Sequence, residues 1–532
     1  MTTVINTSIT GDLLIAGAAR TGGGDAIEAV DPSTGRTIGP TFHYATSYDV
    51  RDATQLADDA FDTYRRTTSE ARARFLESIA DNIDNLGDEL IDRASAESGL
   101  PRARLQGERG RTTGQLRLFA AVLREGSWNG ARIDPAQPDR KPAPRSDIRL
   151  RNIPLGPVVV FAASNFPLAF SVAGGDTASA LAAGCPVIVK AHDAHLGTSE
   201  LVGRAIAAAV VEHGLPDGTF SLIYGLGQTI GIELVTDPAI AAVGFTGSRS
   251  GGMALARAAA GREVPVPVYA EMSSINPVFL LPGALAESAA DLGTGFAASL
   301  TLGSGQFCTN PGLVFAVVGA DLSEFLRSAA TAVGQSTGAA MLTPGIAAAY
   351  ASGQQSMRDH PDVDTVATGR PGTCVSRGMP ALLVTDAEHF LADPSLHAEV
   401  FGATSLVVRC NDLDQLLAAV AGLEGQLTGT IHAVDQDLAD AEVLVEKLER
   451  KVGRILFNGW PTGVEVGHAM VHGGPFPATS DSRTTSVGSL AIERFLRPVS
   501  YQDVPSALLP PSIADGNPDH IWRRIDGTLT QE

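Results

Sequence analysis

One cysteine lies in a stretch whose residue types suit covalent catalysis. In the segment SGQFCTNPG, residues 304–312, glycines beside Cys308 allow close backbone approach, and the following Thr-Asn-Pro is expected to open a helix whose N–H groups face an anion. Cysteine reacts as the thiolate, which such donors favour. The alternative is a small buried hydrophobic residue. Cys185 fits that alternative, and Cys374 and Cys410 have no acid, base or glycine cluster beside them.

Two polar residues at the ends of predicted strands could assist a nucleophile. Glu271 ends the apolar strand VPVYAE, where a carboxylate can act as a general base for water if burial raises its pKa towards neutrality. Asn165 follows the buried strand GPVVVFAAS, and its side-chain amide could donate to an oxyanion that develops at a carbonyl. Taken alone, such a glutamate is more often a surface charge, and such an asparagine is more often a cap.

Other polar residues lie where a nucleotide could bind. Lys190, His192 and Asp193 end the strand in VIVKAHDAH, the position at which an α/β sheet meets the ribose of a cofactor. The segment GFTGSRSGG is predicted to begin a helix after a strand, so its first N–H groups could hold a pyrophosphate. Capping of that helix by Thr246 or Ser248 is an equally good interpretation.

Two further motifs give weaker signals. YGLGQTIG contains Gly227 in a G-x-G-x-x-x-G spacing, which differs from the usual dinucleotide fingerprint. GVEVGHAMVHGG places His468 and His472 four residues apart, a spacing that suits two metal ligands on one helix face. No acidic third ligand lies at a recognised offset, so we expect no metal.

The composition indicates a small-molecule partner. The 532 residues suffice for two or three domains, and the net charge of −20 disfavours binding to nucleic acid and to anionic membranes. Four cysteines in so long a chain fit a reducing compartment. We find no secretory signal and no long apolar run, and we therefore expect a cytoplasmic protein.

The predicted elements form two α/β units. Phe75, Ile79, Ile83, Leu86 and Leu90 have the spacing of one helix with a buried face. After a proline-rich segment, strands and helices alternate, which predicts a parallel sheet with ligands outside the carboxyl ends of its strands. A second α/β pattern follows and carries Cys308. The proline-broken C-terminal segment is expected to lie over the surface or against a partner subunit.

In this order, the strings SNFP, VIVKAH, GFTGS, EMSSINP, GQFCTNPG and LHAEVFGA resemble the NAD(P)-dependent aldehyde dehydrogenase superfamily, over roughly residues 25 to 500. The resemblance implies an α/β fold with a Rossmann-like parallel-sheet cofactor domain, an α/β catalytic domain and a bridging arm that pairs subunits into a homodimer or higher oligomer. The implied boundaries are 1–130 with 153–272 for the cofactor domain, 273–479 for the catalytic domain, 131–152 with 480–500 for the arm, and 501–532 for a C-terminal extension.

The resemblance also implies roles for individual residues. Cys308 would attack the aldehyde, Asn165 and the Cys308 N–H would hold the oxyanion, and Glu271 would activate water to release the carboxylate. The cofactor residues carried over from the family are Lys190 and Asp193 at the adenosine ribose, Gly227 and Ser248 at the pyrophosphate, and Glu399 and Phe401 at the nicotinamide ribose and ring.

Longer strings resemble the branch of the family that holds 2-oxoglutarate semialdehyde dehydrogenases and a related fatty-aldehyde dehydrogenase. Oxidation of 2-oxoglutarate semialdehyde is the leading interpretation, with a broad or fatty-aldehyde dehydrogenase, a cysteine esterase or thioesterase, and a noncatalytic protein as alternatives. Serines at 273 and 274 and Ala403 depart from the family pattern. Asp193 would repel the phosphate of NADP, but Lys190 and His192 could offset this, so NAD and NADP both stay open with a slight preference for NADP.

Overall fold

A computed structural model describes residues 8–531, in which fourteen helices and twenty-three strands alternate. Residues 1–7 and 532, the outermost parts of the expected cofactor domain and C-terminal extension, lie outside the described residues. The helices are α1 (Ser47–Tyr64), α2 (Ser69–Asn85), α3 (Gly87–Ser98), α4 (Arg102–Glu125), α5 (Gly175–Ala183), α6 (Leu196–Glu212), α7 (Ile232–Thr236), α8 (Arg249–Ala260), α9 (Pro282–Thr301), α10 (Ala320–Gln335), α11 (Pro344–Arg358), α12 (Ala387–Ala392), α13 (Leu413–Gly422) and α14 (Leu438–Leu448).

The strands belong to three large sheets and two small ones. They are β1 (Leu13–Ile15), β2 (Ala18–Arg20), β3 (Ala26–Val30), β4 (Thr37–His43), β5 (Arg132–Asp134), β6 (Ile148–Pro154), β7 (Val158–Phe161), β8 (Val187–Lys190), β9 (Phe220–Ile223), β10 (Ala242–Thr246), β11 (Val268–Glu271), β12 (Val278–Leu280), β13 (Leu313–Val317), β14 (Ala339–Ala340), β15 (Asp364–Thr368), β16 (Arg377–Gly378), β17 (Ala381–Asp386), β18 (Thr404–Cys410), β19 (Gln426–His432), β20 (Val452–Phe457), β21 (Leu496–Gln502), β22 (Arg523–Ile525) and β23 (Thr528–Thr530).

The first large sheet has the strand order β11-β10-β7-β8-β9-β1-β2. Its five strands from β11 to β9 are parallel, and register aligns Val159 of β7 with Ile188 of β8 and Val243 of β10. Every residue of β7, β8 and β9 is buried, as expected for parallel strands covered on both faces. Lys190 and Glu271 end their strands at the same carboxyl edge, so the predicted parallel sheet is confirmed.

The second large sheet has the order β15-β17-β18-β13-β12-β19-β20 and is parallel except for the edge strand β15. Phe279 of β12 lies opposite Phe315 of β13, and their buried rings stack with centroids 5.2 Å apart. This sheet supports the loop of Cys308, which leads into β13, and the segment of Glu399, which leads into β18.

The third large sheet has the order β21-β6-β5-β22-β23. β21 pairs with β6 along its whole length, and the C-terminal strand β22 adds in parallel to β5, so that Arg524 lies opposite Arg132. The C-terminal segment therefore ends in a hairpin that extends the sheet formed by β5, β6 and β21.

One helix prediction is wrong in its length. Phe75, Ile79 and Ile83 do form the buried face of α2, but that helix ends at Asn85. Gly87 has a φ of +56°, which interrupts the helical backbone, and Leu90 belongs to α3. Across residues 8–531, every helix is too short or too polar to cross a membrane.

Candidate active site

The carboxylate of Glu271 lies at the end of β11 and is buried, with 3% of its surface exposed. Its Oε1 is 2.9 Å from Nε2 of His472, and its Oε2 accepts a hydrogen bond of 2.7 Å from the Ser486 hydroxyl. Burial favours a higher pKa, but the charge of His472 and the hydrogen bonds from His472, Ser486 and Cys308 outweigh it, so the pKa of Glu271 is lowered. Glu271 is therefore ionised at neutral pH.

The sulfur of Cys308 adjoins this carboxylate. Its Sγ lies 3.3 Å from His472 Nε2, and the ligand atoms of Glu271, Cys308 and His472 all lie within 4.8 Å of one another. Burial, followed by the negative charge of Glu271, raises the pKa of the Cys308 thiol well above its usual value, while the charge of Arg111 acts in the opposite direction. The resting group is therefore a thiol beside a base, although three such donors could also hold a metal ion.

His472 is a candidate functional residue that the sequence interpretation weighed only as a metal ligand. Residues 463–478 form no helix, so the prediction of one helix face carrying His468 and His472 is wrong: His468 is exposed, whereas His472 is buried between Cys308 and Glu271. Nδ1 of His472 is buried without a hydrogen-bond partner among residues 8–531. Nε2 is therefore the ring nitrogen that contacts both Cys308 and Glu271.

The loop of Cys308 is held by side chains from distant segments. The expected helix after Cys308 is absent from this part of the structure, and the chain runs instead into β13. Nδ2 of Asn276 donates to the carbonyls of Cys308 at 2.8 Å and Asn310 at 2.9 Å. Gly305 has a φ of +68°, and a Cβ there would lie 2.3 Å from the Ala403 nitrogen, so only glycine fits this close approach.

One of the two serines after Glu271 takes part in this support. The Ser274 hydroxyl lies 2.8 Å from Asn276 Oδ1 and 2.9 Å from Gln426 Oε1, and it accepts the Leu427 N–H at 3.0 Å. These bonds connect the end of β11 to β19. The departure from the family's glycine therefore fixes the segment that follows the carboxylate.

Asn165 lies in the turn after β7 and is buried. Its Nδ2 donates to the Gln306 carbonyl at 3.1 Å, and its own carbonyl accepts a hydrogen bond of 2.8 Å from Arg104 Nη2. The side-chain amide carries two N–H groups, so one of them is available to an acceptor beside Cys308.

A cavity of about 840 Å³ runs between the carboxyl edge of the first sheet and the segments that precede β13 and β18. It brings together all ten residues that the sequence singled out. They are Asn165, Lys190, His192, Asp193, Gly227, Ser248, Glu271, Cys308, Glu399 and Phe401.

The end of the cavity at β8 has the groups expected around a ribose. Asp193 Oδ2 accepts the Tyr44 hydroxyl at 3.0 Å, and Oδ1 is buried without a hydrogen-bond partner in the described part of the chain. Burial lowers the pKa of Lys190, against the charge of Asp193. Burial and the charge of Lys190 hold the pKa of His192 well below its usual value, and its Nδ1 accepts the Ala194 N–H. His192 is thus neutral at pH 7.

The remaining predicted residues lie further along the cavity. Gly227 begins a single π-helical turn, and Ser248 caps α8 by accepting the Gly251 N–H at 3.2 Å. Burial raises the pKa of Glu399 to about 8, although the backbone N–H of Ser274 opposes the shift. An unpaired carboxylate oxygen, a helix N-terminus and a second carboxyl group along one cleft match the hydroxyls and phosphates of a dinucleotide.

Comparison with known proteins gives a consistent result. Residues 19–475 match the model of the aldehyde dehydrogenase family. The chain is 58% identical over 520 residues to alpha-ketoglutaric semialdehyde dehydrogenase 2 of Azospirillum brasilense, covering 98% of this chain and 99% of that one. It is 48% identical over 506 residues to alpha-ketoglutaric semialdehyde dehydrogenase of Acinetobacter baylyi, covering 95% and 96%.

The fold is similar to that of PnpE, whose crystal structure was solved in complex with nicotinamide adenine dinucleotide. The TM-score is 0.77 with 21% identity, over 92% of this chain and 97% of that one. At this identity the likeness establishes the fold alone, and it confirms the predicted α/β architecture.

Proposed function

This chain belongs to the aldehyde dehydrogenase family, and from that premise we propose that it oxidises 2-oxoglutarate semialdehyde to 2-oxoglutarate with a nicotinamide dinucleotide as oxidant. Two relatives of the same length, at 58% and 48% identity, are named for this substrate under its synonym alpha-ketoglutaric semialdehyde. The enzyme is an oxidoreductase, as the sequence predicted.

The observation that carries the proposal is the contact among Cys308, Glu271 and His472, of which Cys308 and Glu271 line the dinucleotide-sized cavity. A thiol, an ionised carboxylate and an imidazole within hydrogen-bond reach supply a nucleophile and its base. A plain thioesterase would need these groups, but it would have no use for the ribose-type and pyrophosphate-type groups that line the same cavity.

The first half of the reaction forms a bond from sulfur to the aldehyde carbon. Before the attack the proton is on the sulfur and the charge is on the carboxylate, because the pKa of Cys308 is raised and that of Glu271 is lowered. Glu271 accepts the thiol proton as Cys308 attacks. The free N–H of Asn165 and the backbone N–H of Cys308 stabilise the oxyanion of the resulting thiohemiacetal. A nicotinamide dinucleotide held along the cleft by Lys190, Asp193, Gly227, Ser248, Glu399 and Phe401 would supply the hydride acceptor, and loss of that hydride from the former aldehyde carbon would leave a thioester on Cys308.

The second half of the reaction hydrolyses the thioester. Glu271 first passes the thiol proton to bulk water and then accepts a proton from the attacking water. As the carbon–sulfur bond breaks, Glu271 returns that proton to Cys308, and the acid product loses its own proton to bulk water and leaves as a carboxylate. His472 and Ser486 stay hydrogen-bonded to Glu271 and hold the carboxylate in the orientation that both halves require.

We infer that the cofactor is NAD, in contrast to the slight preference for NADP drawn from the sequence. Lys190 and Asp193 would hold the adenosine ribose, Gly227 and Ser248 the pyrophosphate, and Glu399 with Phe401 the nicotinamide end. The buried free Oδ1 of Asp193 suits a 2′-hydroxyl donor and repels a 2′-phosphate. His192 is neutral and occupied by Ala194, so only Lys190 is left to offset that repulsion.

We also propose that the expected domain boundaries hold and that the third large sheet pairs subunits. Segments 131–152 and 480–500 supply β5, most of β6 and the start of β21, and β21 and β23 are the edge strands of that sheet. Edge strands are available to pair with a second copy. Light scattering after gel filtration should give the mass of a dimer or of a multiple of it.

Trapping the covalent intermediate tests the proposed function. The wild type, quenched with acid during its first turnover of the semialdehyde with NAD, should carry an acyl adduct on Cys308 that intact-mass spectrometry and peptide mapping detect, with one equivalent of NADH formed. Cys308→Ser serves as the matched control and should form neither product. Ester cleavage by the wild type without any NADH release from the semialdehyde would instead support a hydrolase.

A further inference from the structure

A second cavity, of about 260 Å³, lies beside the nucleophile on the side formed by α4. Its lining includes Arg111, Phe166 and Phe307. Phe166 follows Asn165 and Phe307 precedes Cys308, so this cavity adjoins the two segments that carry those residues of the cofactor cleft. A substrate bound at Cys308 from this side would place its far end in the second cavity.

Arg111 carries unused hydrogen-bonding capacity in this cavity. Its Nε and Nη2 atoms are buried without a hydrogen-bond partner, and no carboxylate of residues 8–531 lies within ion-pair distance of it. The guanidinium lies 5.2 Å from the ring centroid of Phe170 and 5.9 Å from that of Phe166. Buried donors almost always have an acceptor, so the Nε and Nη2 groups of Arg111 indicate an acceptor that comes from a bound ligand and not from the chain.

Nearby acids do not take the place of that acceptor. Glu108 uses its Oε1 to accept the N–H groups of Leu168 at 2.8 Å and Ala169 at 3.0 Å, and its buried Oε2 is unpaired but forms no ion pair with Arg111. Glu465 is exposed. Burial lowers the pKa of Arg111, and the charges of Cys308, Glu108, Glu271 and Glu465 only oppose this shift.

A second cation, Arg454, lies within electrostatic range of both Arg111 and Cys308. The pKa of Arg454 is lowered by burial, and the charge of Arg111 contributes to this shift, while proximity to Cys308 opposes it. Arg454 donates from Nη1 and Nη2 to the carbonyls of Gly463 and Pro461, so its charge is positioned but not neutralised. Two guanidinium groups near Cys308 thus form a positive region in a chain of net charge −20.

We propose that Arg111 binds the carboxylate at the end of the substrate opposite the aldehyde, and so selects short oxo-carboxylates over neutral aldehydes. This inference rests on the proposed function. A planar guanidinium recognises a carboxylate through two parallel hydrogen bonds, and aromatic faces hold its plane. A neutral aldehyde would leave the donors of Arg111 unpaired. A site with buried polar groups discriminates most strongly against an analogue that lacks the matching group.

The test compares 2-oxoglutarate semialdehyde with pentanal, a neutral aldehyde of the same carbon number. In Arg111→Met, the ratio of kcat/KM for the semialdehyde to kcat/KM for pentanal should fall about 30-fold, mainly through KM for the semialdehyde. Arg111→Lys keeps the charge but loses the planar pair of donors, so its ratio should lie between those of the wild type and Arg111→Met. Arg102→Met is the matched control on the same helix, because Arg102 is exposed and pairs with Asp88 at 3.0 Å.

Each outcome has a defined meaning. A ratio that collapses in Arg111→Met, is intermediate in Arg111→Lys and is unchanged in Arg102→Met supports the proposal. A wild type that prefers the semialdehyde, together with an Arg111→Met variant that keeps the preference or loses both activities equally, overturns the role of Arg111 and leaves the proposed function standing. A wild type without preference for the semialdehyde overturns the proposed substrate and this inference with it.

Discussion

Replacing His472 should slow the chemical steps because Glu271 loses a hydrogen bond that holds its carboxylate in orientation. In His472→Ala, the buried carboxylate loses a hydrogen bond of 2.9 Å and the charge that His472 contributes, and retains the Ser486 and Cys308 donors. A hydrogen bond to a charged group is worth roughly 1.5–3 kcal/mol. At about 1.36 kcal/mol per factor of ten in rate, kcat/KM should fall by about 10- to 100-fold.

The sign of the pH effect follows from the same contact. His472 lowers the pKa of Glu271, so its loss raises that pKa, and the acidic limb of the kcat/KM profile should move to higher pH. His472→Gln, which keeps an N–H donor, should shift the limb less. The assay is NADH release against pH, with His468→Ala as the control because His468 is exposed in the same segment. An unchanged acidic limb in His472→Ala would refute this reasoning.

Three further predictions concern the cofactor and the core. Asp193→Ser should lower the ratio of kcat/KM with NAD to kcat/KM with NADP by about 100-fold, since a carboxylate near a 2′-phosphate costs several kcal/mol at short range. The control Tyr44→Phe should change this ratio far less. An unchanged ratio in Asp193→Ser would show that Asp193 does not set the cofactor preference. Because the pKa of Glu399 is about 8 and, in the proposed role, its ionised form would accept the ribose hydroxyls, NAD affinity measured by fluorescence should rise about tenfold from pH 7 to 9. Glu399→Gln should show no such rise, and an equal dependence of NAD affinity on pH in the wild type and the variant would contradict the role of Glu399 at the ribose. Phe279→Ala should lower the free energy of unfolding by about 3–5 kcal/mol, whereas Phe457→Ala, at an exposed position, should change it by less than about 0.5 kcal/mol in urea titrations.

The parallel sheets could be predicted from the sequence because their strands are short buried runs bounded by glycine and proline. The strands VVVF and VIVK bury every residue, so their composition identifies them without any periodicity. The boundary between α2 and α3 could not be found in this way. Leu86 and Leu90 keep the helical spacing, and only the positive φ of Gly87 separates the two helices.

The catalytic cluster was predictable only in part. Cys308, Glu271 and Asn165 lie in strings that resemble a known family, whereas the contacts of His472 span 164 residues to Cys308 and 201 residues to Glu271. Its spacing from His468 suggested a helix, although the glycines that follow it are typical of irregular backbone. The expected helix after Cys308 failed for a similar reason, since Asn276, far away in sequence, binds the carbonyls of that loop.

The central claim is that this enzyme oxidises 2-oxoglutarate semialdehyde through Cys308 with NAD. The most direct measurement is kcat/KM of the wild type with NAD for the semialdehyde and for a medium-chain aldehyde such as octanal, beside Cys308→Ser. We expect the semialdehyde to be preferred by at least about 100-fold, as a site with buried unpaired donors discriminates against a neutral chain, and the variant to be inactive on both. A preference for octanal would contradict the claim and would indicate an apolar substrate tunnel.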